Sequence, residues 1–109
     1  MLTLEEFEKV DLRVGTILDA SVNRKARKPA YKFKIDMGKE LGIKKSSAQV
    51  TELYTPEELI GKQVVVVANF APIKVSEVKS EVRILGAETE NGIVLLDLER
   101  KVENGAKVD

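Results

Sequence analysis

An unbroken apolar run over residues 64–68 constrains the fold more than any other feature of this chain. Short β-branched runs bounded by turn residues are typical of strands that are buried on both faces. Pro72 follows shortly afterwards and has no backbone N–H to donate, so the strand must end before it. A second strand pattern covers residues 80–85. The sequence therefore predicts two core strands joined by a polar connection.

The connection carries four kinds of side chain that can bind a ligand: an amide, a cation, a hydroxyl and a carboxylate. They belong to Asn69, Lys74, Ser80 and Glu81. Loops that are held by rigid strands often carry binding sites. Asn and Ser also satisfy backbone groups in turns, so Asn69 and Ser80 have a purely structural alternative.

Composition excludes several classes of function. The chain has 18 basic and 18 acidic residues, so its overall charge favours neither nucleic acid nor membrane as a partner. Cys and His are both absent, which excludes disulfides, the usual zinc sites and the Cys–His and Ser–His nucleophile pairs. We expect one domain over residues 1–109 that is not an enzyme, with no catalytic residue, no metal and no cofactor.

The first residues of the chain, MLTLEE, are acidic and lack the apolar core of a signal peptide. No apolar run in the sequence approaches the length that a membrane span requires. We therefore expect a cytoplasmic protein without membrane insertion.

Strict alternation over residues 31–38 predicts a strand with one buried face. Its apolar face carries Tyr31, Phe33, Ile35 and Met37, and its polar face carries Lys32, Lys34 and Asp36. Aromatic residues can act as stacking platforms for bases, but the regular pairing with Ile35 and Met37 favours a core role for Tyr31 and Phe33.

A basic patch precedes this strand and continues onto it. Its residues are Arg24, Lys25, Arg27, Lys28 and Lys34. One interpretation is a solvated hairpin loop, and the other is a surface that contacts phosphates.

The remaining elements are predicted from turn and capping signals. Residues 11–22 have the pattern of a long strand, in which Leu18 shares the parity of the other apolar residues and Gly15 indicates a bulge or bend. Residues 39–42 are interpreted as a connection, and residues 43–53 as a third strand. Asn91-Gly92 indicates a hairpin between residues 84–88 and 93–98.

Two capping boxes predict two short helices. One begins at Thr3 with Glu6, and the other at Thr55 with Glu58, after the third strand. Five or six bent strands with a lone helix after the third predict an all-β fold, a five-stranded OB-type barrel with a short N-terminal helix. A small sandwich is the alternative architecture.

Several segments resemble the tRNA-binding domain family, which includes free-standing tRNA-binding proteins and domains appended to methionyl- and phenylalanyl-tRNA synthetases. The segments are FEKVDLRVGTI at 7–17, YTPEELIGK at 54–62, VVVANF at 65–70 and the pair Ser80-Glu81. Within the family, KARKPAY at 25–31 and SSAQ at 46–49 resemble the CsaA-type export chaperones, small homodimeric OB-fold proteins that bind unfolded secretory preproteins.

The resemblance implies a binding protein whose partners are unfolded preproteins or peptides, and possible tRNA binding is its alternative. Candidate residues for a peptide or RNA site are Lys32, Gln49, Asn69, Phe70, Lys74, Ser80 and Glu81. An extended chain requires an apolar groove with polar groups for its backbone, and RNA requires the basic patch.

Apolar residues near both termini predict a homodimer. They are Leu2, Leu4, Phe7, Val10, Val102 and Val108. An N-terminal helix this short is marginal alone and needs a surface to cover its apolar side. That surface is either the partner protomer across a twofold axis or the chain's own barrel.

Overall fold

The structure of the protein is a computed structural model, which describes residues 1–24, 27–75 and 78–109. The helices are α1 (Leu4–Glu8), α2 (Gly38–Leu41) and α3 (Pro56–Leu59). The strands are β1 (Leu12–Val22), β2 (Tyr31–Asp36), β3 (Ile43–Ala48), β4 (Gln63–Val67), β5 (Ile73–Val75), β6 (Val78–Ser80), β7 (Arg83–Ile84), β8 (Gly86–Thr89), β9 (Gly92–Leu95) and β10 (Lys107–Val108).

Five strands form a nearly closed antiparallel barrel. They are neighbours in the order β3, β2, β1, β4 and β7, and β10 adds to the start of β1. The two ends of this sheet, β3 and β7, approach each other, while β5–β6 and β8–β9 form separate hairpins. The predicted all-β fold of OB type is confirmed, with the short helices α1 at the N-terminus and α3 after β3.

The core is filled from β4 and β2 as their sequence patterns predict. Val64, Val65 and Val66 are all buried, because β4 lies between β1 and β7 and is covered on both faces. In β2, buried and exposed side chains alternate along the strand. Tyr31 and Phe33 face the core and pack edge to face with their ring centroids 6.3 Å apart, which confirms their core role.

The predicted parity of β1 is wrong at Leu18. Ile17 pairs with Ile35 and Asp19 pairs with Lys34, so Leu18 is the extra residue of a bulge. The bulge turns Ile17 into the core and leaves Leu18 exposed. The bulge does not lie at Gly15. A Cβ at that position would come within 2.6 Å of the Ile35 side chain, so this glycine instead allows β2 to approach closely.

The helical turns are set by capping and by glycine. Both hydrogen bonds of the Thr3–Glu6 capping box are formed, and at the second box Thr55 N donates to Glu58 Oε1 at 2.9 Å. The sequence pattern predicts only a connection over residues 39–42, but Gly38–Leu41 forms the short helix α2. Gly38, the first residue of this helix, has a φ of 88°, which favours glycine. The N-cap residue is Met37, whose side chain makes no capping hydrogen bond, so the sequence carries no capping signal for this helix.

The C-terminal segment is hydrogen-bonded to the barrel. Gln63 donates to Val102 O at 2.7 Å, and Thr16 donates to Asn104 Oδ1 at 2.6 Å. Arg13 donates to Gly105 O at 3.1 Å, and its hydrogen bond to Asp11 raises the pKa of the guanidinium. These bonds position β10 against β1.

Among the described residues, no helix has the length and apolar character that crossing a membrane requires.

Candidate binding groove and barrel seam

The barrel closes along a seam between β3 and the residues that precede β7. Ser46 is fully buried and donates its hydroxyl to Val82 O at 2.7 Å. Ser80 Oγ accepts a hydrogen bond from Ser47 N at 3.2 Å. Because no regular strand pairing joins these two described segments, hydroxyl groups take the place of a backbone ladder.

Glu81 continues the seam with both its backbone and its side chain. Its N–H donates to Lys45 O at 2.8 Å, and its Oε1 accepts from Lys45 N at 3.1 Å. The carboxylate therefore accepts a hydrogen bond that the backbone carbonyl of a paired strand would otherwise accept. Ser80 and Glu81, both predicted as ligand-binding residues, have hydrogen-bond partners within the chain.

Asn69 connects the end of β4 to the N-terminal segment. Its Oδ1 accepts from Asp11 N at 3.0 Å, and its Nδ2 donates to Lys9 O at 2.7 Å. Ala68 N donates to Asp11 O at 2.7 Å beside them. The amide of Asn69 thus fixes the chain between α1 and β1.

Beyond the seam, a groove of about 890 Å³ lies between the end of β3 and the chain that begins at β7. Its apolar lining includes Phe70, Ile73, Val82, Ile84, Ile93 and Leu95. Its polar lining is Arg27, Lys28, Ser47, Gln49, Ser80, Arg83 and Glu88. One wall comes from the end of β3, and the other comes from β7 and the β8–β9 hairpin.

Two successive hydrogen bonds connect the wall formed by the β8–β9 hairpin to the barrel core. Tyr31, in the core, donates its hydroxyl to Tyr54 O at 2.6 Å. Tyr54 in turn accepts from Leu95 N through its own hydroxyl at 3.0 Å. The hairpin wall is therefore tied to the barrel core by two tyrosines.

The groove brings together part of the predicted site. Gln49, Phe70 and Ser80 line it, together with Arg27 and Lys28 of the basic patch. The side chain of Gln49 makes no hydrogen bond to any residue that the structure describes, so its amide is available to a ligand.

The other predicted cations lie away from the groove. Lys32 and Lys34 are exposed on β2, where Lys34 pairs with Lys45 of β3. Arg24 and Lys74 are also exposed and outside the lining. Lys25 lies outside the described residues.

Arg83 also lines the groove and is not among the residues predicted from the sequence. Its guanidinium carbon lies 5.9 Å from the ring centroid of Phe70, and both side chains line the groove. The signal in the sequence is the alternation of Val82, Arg83 and Ile84, which places the Arg on the face opposite the buried Val82.

The residues predicted to form a dimer interface are mostly uncovered in the single chain. Leu4 has 71% of its surface exposed, and Leu2, Val10 and Val102 are exposed as well. Phe7 is half-buried. Val108 is half-buried and pairs with Leu12 on its own barrel.

Comparison with known families agrees with this architecture. Residues 12–107 match the family model described as "Putative tRNA binding domain". The methionine–tRNA ligase of Archaeoglobus fulgidus is 42% identical over 107 residues, which are 98% of this chain and 16% of that enzyme. The chain therefore spans about one sixth of the length of the curated relatives that it matches.

Two solved structures match the chain from end to end. Chaperone CsaA from Bacillus anthracis is 45% identical with a TM-score of 0.93, covering 100% of this chain and 99% of that one. The CsaA chaperone protein from Picrophilus torridus is 44% identical with a TM-score of 0.94, covering 100% of both. The chain belongs to the tRNA-binding domain family and is of the CsaA type.

Proposed function

We propose that this protein is a non-catalytic chaperone that binds unfolded polypeptides in the groove between β3 and the β8–β9 hairpin. The observation that carries the proposal is the apolar lining of that groove, which a protein this small leaves open to solvent. The end-to-end likeness to CsaA chaperones supports the same function.

The groove fits an extended chain better than a folded surface. It is concave, and Phe70 and Ile73 remain 40% and 49% exposed within it. Apolar side chains of an unfolded segment would cover these residues, and the free amide of Gln49 would meet its backbone. Such a site recognises the apolar character of a client rather than one sequence. Secretory preproteins that are still unfolded before export expose such apolar segments, so they are the clients we expect this site to bind.

Binding of tRNA is a second candidate, and a different surface favours it. Lys34 and Lys45 are directly opposite on adjacent strands, next to the exposed Lys32. Like charges in cross-strand pairs are destabilising, so a phosphate ligand would relieve their repulsion. The match to a tRNA-binding domain supports this candidate as well. Both activities would place the protein in the cytoplasm.

The proposal includes a homodimer formed through the N-terminal helix. Leu2, Leu4 and Val10 are exposed apolar residues within one short segment. A twofold contact between two such segments would bury them against each other and give one particle two grooves. In sedimentation at micromolar concentration, we expect a dimer for the wild type. The double variant Leu4→Asp/Phe7→Asp should sediment as a monomer or lose its fold, and a monomeric wild type would contradict the dimer.

The test of function is capture of clients from a cell lysate by the full chain, with and without nuclease. We expect unfolded preproteins to be recovered equally in both arms. Purified binding then follows by fluorescence anisotropy with a labelled, chemically unfolded preprotein. Recovery of tRNA alone, together with no anisotropy change for the unfolded client, would contradict the chaperone and favour the second candidate.

A further inference from the structure

We propose that Arg83, held over the ring of Phe70, makes the groove selective for extended segments in which an acidic residue stands among apolar ones. This proposal rests on the proposed peptide-binding function. It adds the chemical class of the client and the residue that selects it.

The geometry leaves the charge of Arg83 available to a ligand. The guanidinium carbon lies 5.9 Å from the Phe70 centroid, within the range of a cation–π contact. Arg83 is exposed, and its side chain forms no ion pair or hydrogen bond with any residue in the described part of the chain. The ring therefore orients a guanidinium whose N–H donors are left for a ligand.

The charge of the groove differs from that of the whole chain. The protein as a whole is neutral, with 18 basic and 18 acidic residues. The described lining carries the cations Arg27, Lys28 and Arg83 and a single carboxylate, Glu88. A cleft lined by one sign of charge concentrates ligands of the other sign, so acidic segments are favoured and basic ones are disfavoured.

The apolar lining near Arg83 favours a peptide carboxylate over an RNA phosphate. Phe70 and Ile73 line the same groove and are exposed, and Ile93 lies on the same groove wall as Arg83. A guanidinium pairs with carboxylates and with phosphates alike. The apolar neighbours would pack against aliphatic side chains, which a polypeptide has and an RNA strand lacks. A client segment with a Glu or Asp among apolar residues would pair with Arg83 through its carboxylate and pack its apolar side chains against the apolar lining.

The experiment measures selectivity with defined peptides. The probes are three labelled, amidated nonapeptides in which Val and Ser alternate and the central residue is Glu, Gln or Lys. By anisotropy at low ionic strength, we expect the wild type to bind the Glu peptide about fivefold more tightly than the Gln peptide, as a partly exposed charged pair allows. The Lys peptide should bind most weakly.

Arg83→Gln should abolish the difference between the Glu and Gln peptides. A matched control is Lys62→Gln, because Lys62 lies over Tyr54 at the same 5.9 Å but does not line the groove. That variant should keep the wild-type selectivity. Arg83→Lys, which keeps a point charge, should retain part of the preference. Phe70→Leu keeps an apolar wall without the ring and should weaken the preference.

Each contrary outcome overturns a defined part of the account. Equal affinity of the wild type for the Glu and Gln peptides would overturn the proposal and leave the peptide-binding function standing. A Glu preference that persists in Arg83→Gln would overturn the role of Arg83. Failure of every peptide to bind would overturn the proposal together with the proposed function. If a single-stranded RNA displaces the peptides and Arg83→Gln weakens only RNA, Arg83 contacts phosphate and the proposal is wrong.

Discussion

The middle of β3 and its C-terminal end differ in how they contact the rest of the barrel. Around Lys45 and Ser46, β3 is joined to the chain before β7 by hydroxyl, carboxylate and backbone hydrogen bonds. At Ala48, where β3 ends, and at Gln49 just beyond it, the chain instead borders the groove. Polar groups close the barrel at the middle of the strand, whereas a largely apolar groove lies open at its end.

This difference separates residues that hold the site from residues that face it. Ser80 and Glu81 look like ligand-binding groups in the sequence, yet their hydrogen bonds close the barrel. Arg83, only two residues further on, has no such partner among the described residues and lines the groove. We therefore expect seam variants to change stability and groove variants to change affinity.

The largest effect on stability is expected for Ser46→Ala. It removes the buried hydrogen bond to Val82 O and should lower the free energy of unfolding by about 2 kcal/mol, which lowers Tm by roughly 10 °C. The measurement is thermal unfolding followed by circular dichroism. Ser47→Ala is the control, because only the backbone N–H of Ser47 takes part in the seam. Equal losses in the two variants would contradict the hydroxyl closure.

Glu81→Ala should have the next largest effect. It leaves Lys45 N–H without its side-chain acceptor and should cost about 1 kcal/mol, because the site is partly exposed. Glu81→Gln keeps an oxygen acceptor and should lose less than half of that amount. Urea unfolding of the three proteins measures both differences. If Glu81→Ala has unchanged stability and reduced affinity for an unfolded client, the carboxylate belongs to the binding site.

Asn69→Ala should have a smaller and more local effect. The amide bonds join the chain near Lys9 and Asp11 to the end of β4, so their loss frees the N-terminal segment more than the barrel. Hydrogen exchange at Asp11 N–H should become faster, with a loss in global stability below about 1 kcal/mol. Asn69→Asp keeps the acceptor for Asp11 N–H but loses the donor to Lys9 O, so it should preserve only part of the protection. Reduced client affinity with unchanged exchange would instead make Asn69 a binding residue.

The smallest effect on stability is expected for Lys32→Gln/Lys34→Gln. Both side chains are exposed on β2, so Tm should not fall and removing like charges should leave it unchanged or slightly higher. If the second candidate function holds, tRNA affinity should fall and the slope of its logarithm against the logarithm of salt should decrease by about one to two. Client binding in the groove should be unchanged, and a parallel loss of both affinities would contradict two separate surfaces.

The fold is predictable where local pattern determines burial. Period-two alternation places Tyr31 and Phe33 in the core, and the valine run of β4 is correctly predicted to be buried. Prediction fails at Leu18, because the register of β1 against β2 depends on a bulge that its own sequence does not mark. Helix α2 is missed because its first residue is a glycine with positive φ rather than a capping side chain.

The candidate site is only partly predictable for a different reason. Gln49 and Phe70 are identified from the sequence and do line the groove. Asn69 and Glu81 are identified by their chemistry, but their hydrogen-bond partners lie 58 and 36 residues away along the chain. A sequence does not show which donor a polar side chain will meet across the barrel. For the same reason, the contact of Arg83 with Phe70 becomes visible only in the fold.

The most direct test of the binding groove compares two isoleucines with equal exposure. Ile73 lies in the groove and Ile60 lies outside it, and each has 49% of its surface exposed. Ile73→Asp and Ile60→Asp should therefore have similar unfolding temperatures. In anisotropy titrations with an unfolded preprotein, we expect Ile73→Asp to weaken binding by about tenfold or more, as the loss of a central apolar contact does, and Ile60→Asp to bind like the wild type. Equal affinities of the two variants for the client would contradict binding in this groove.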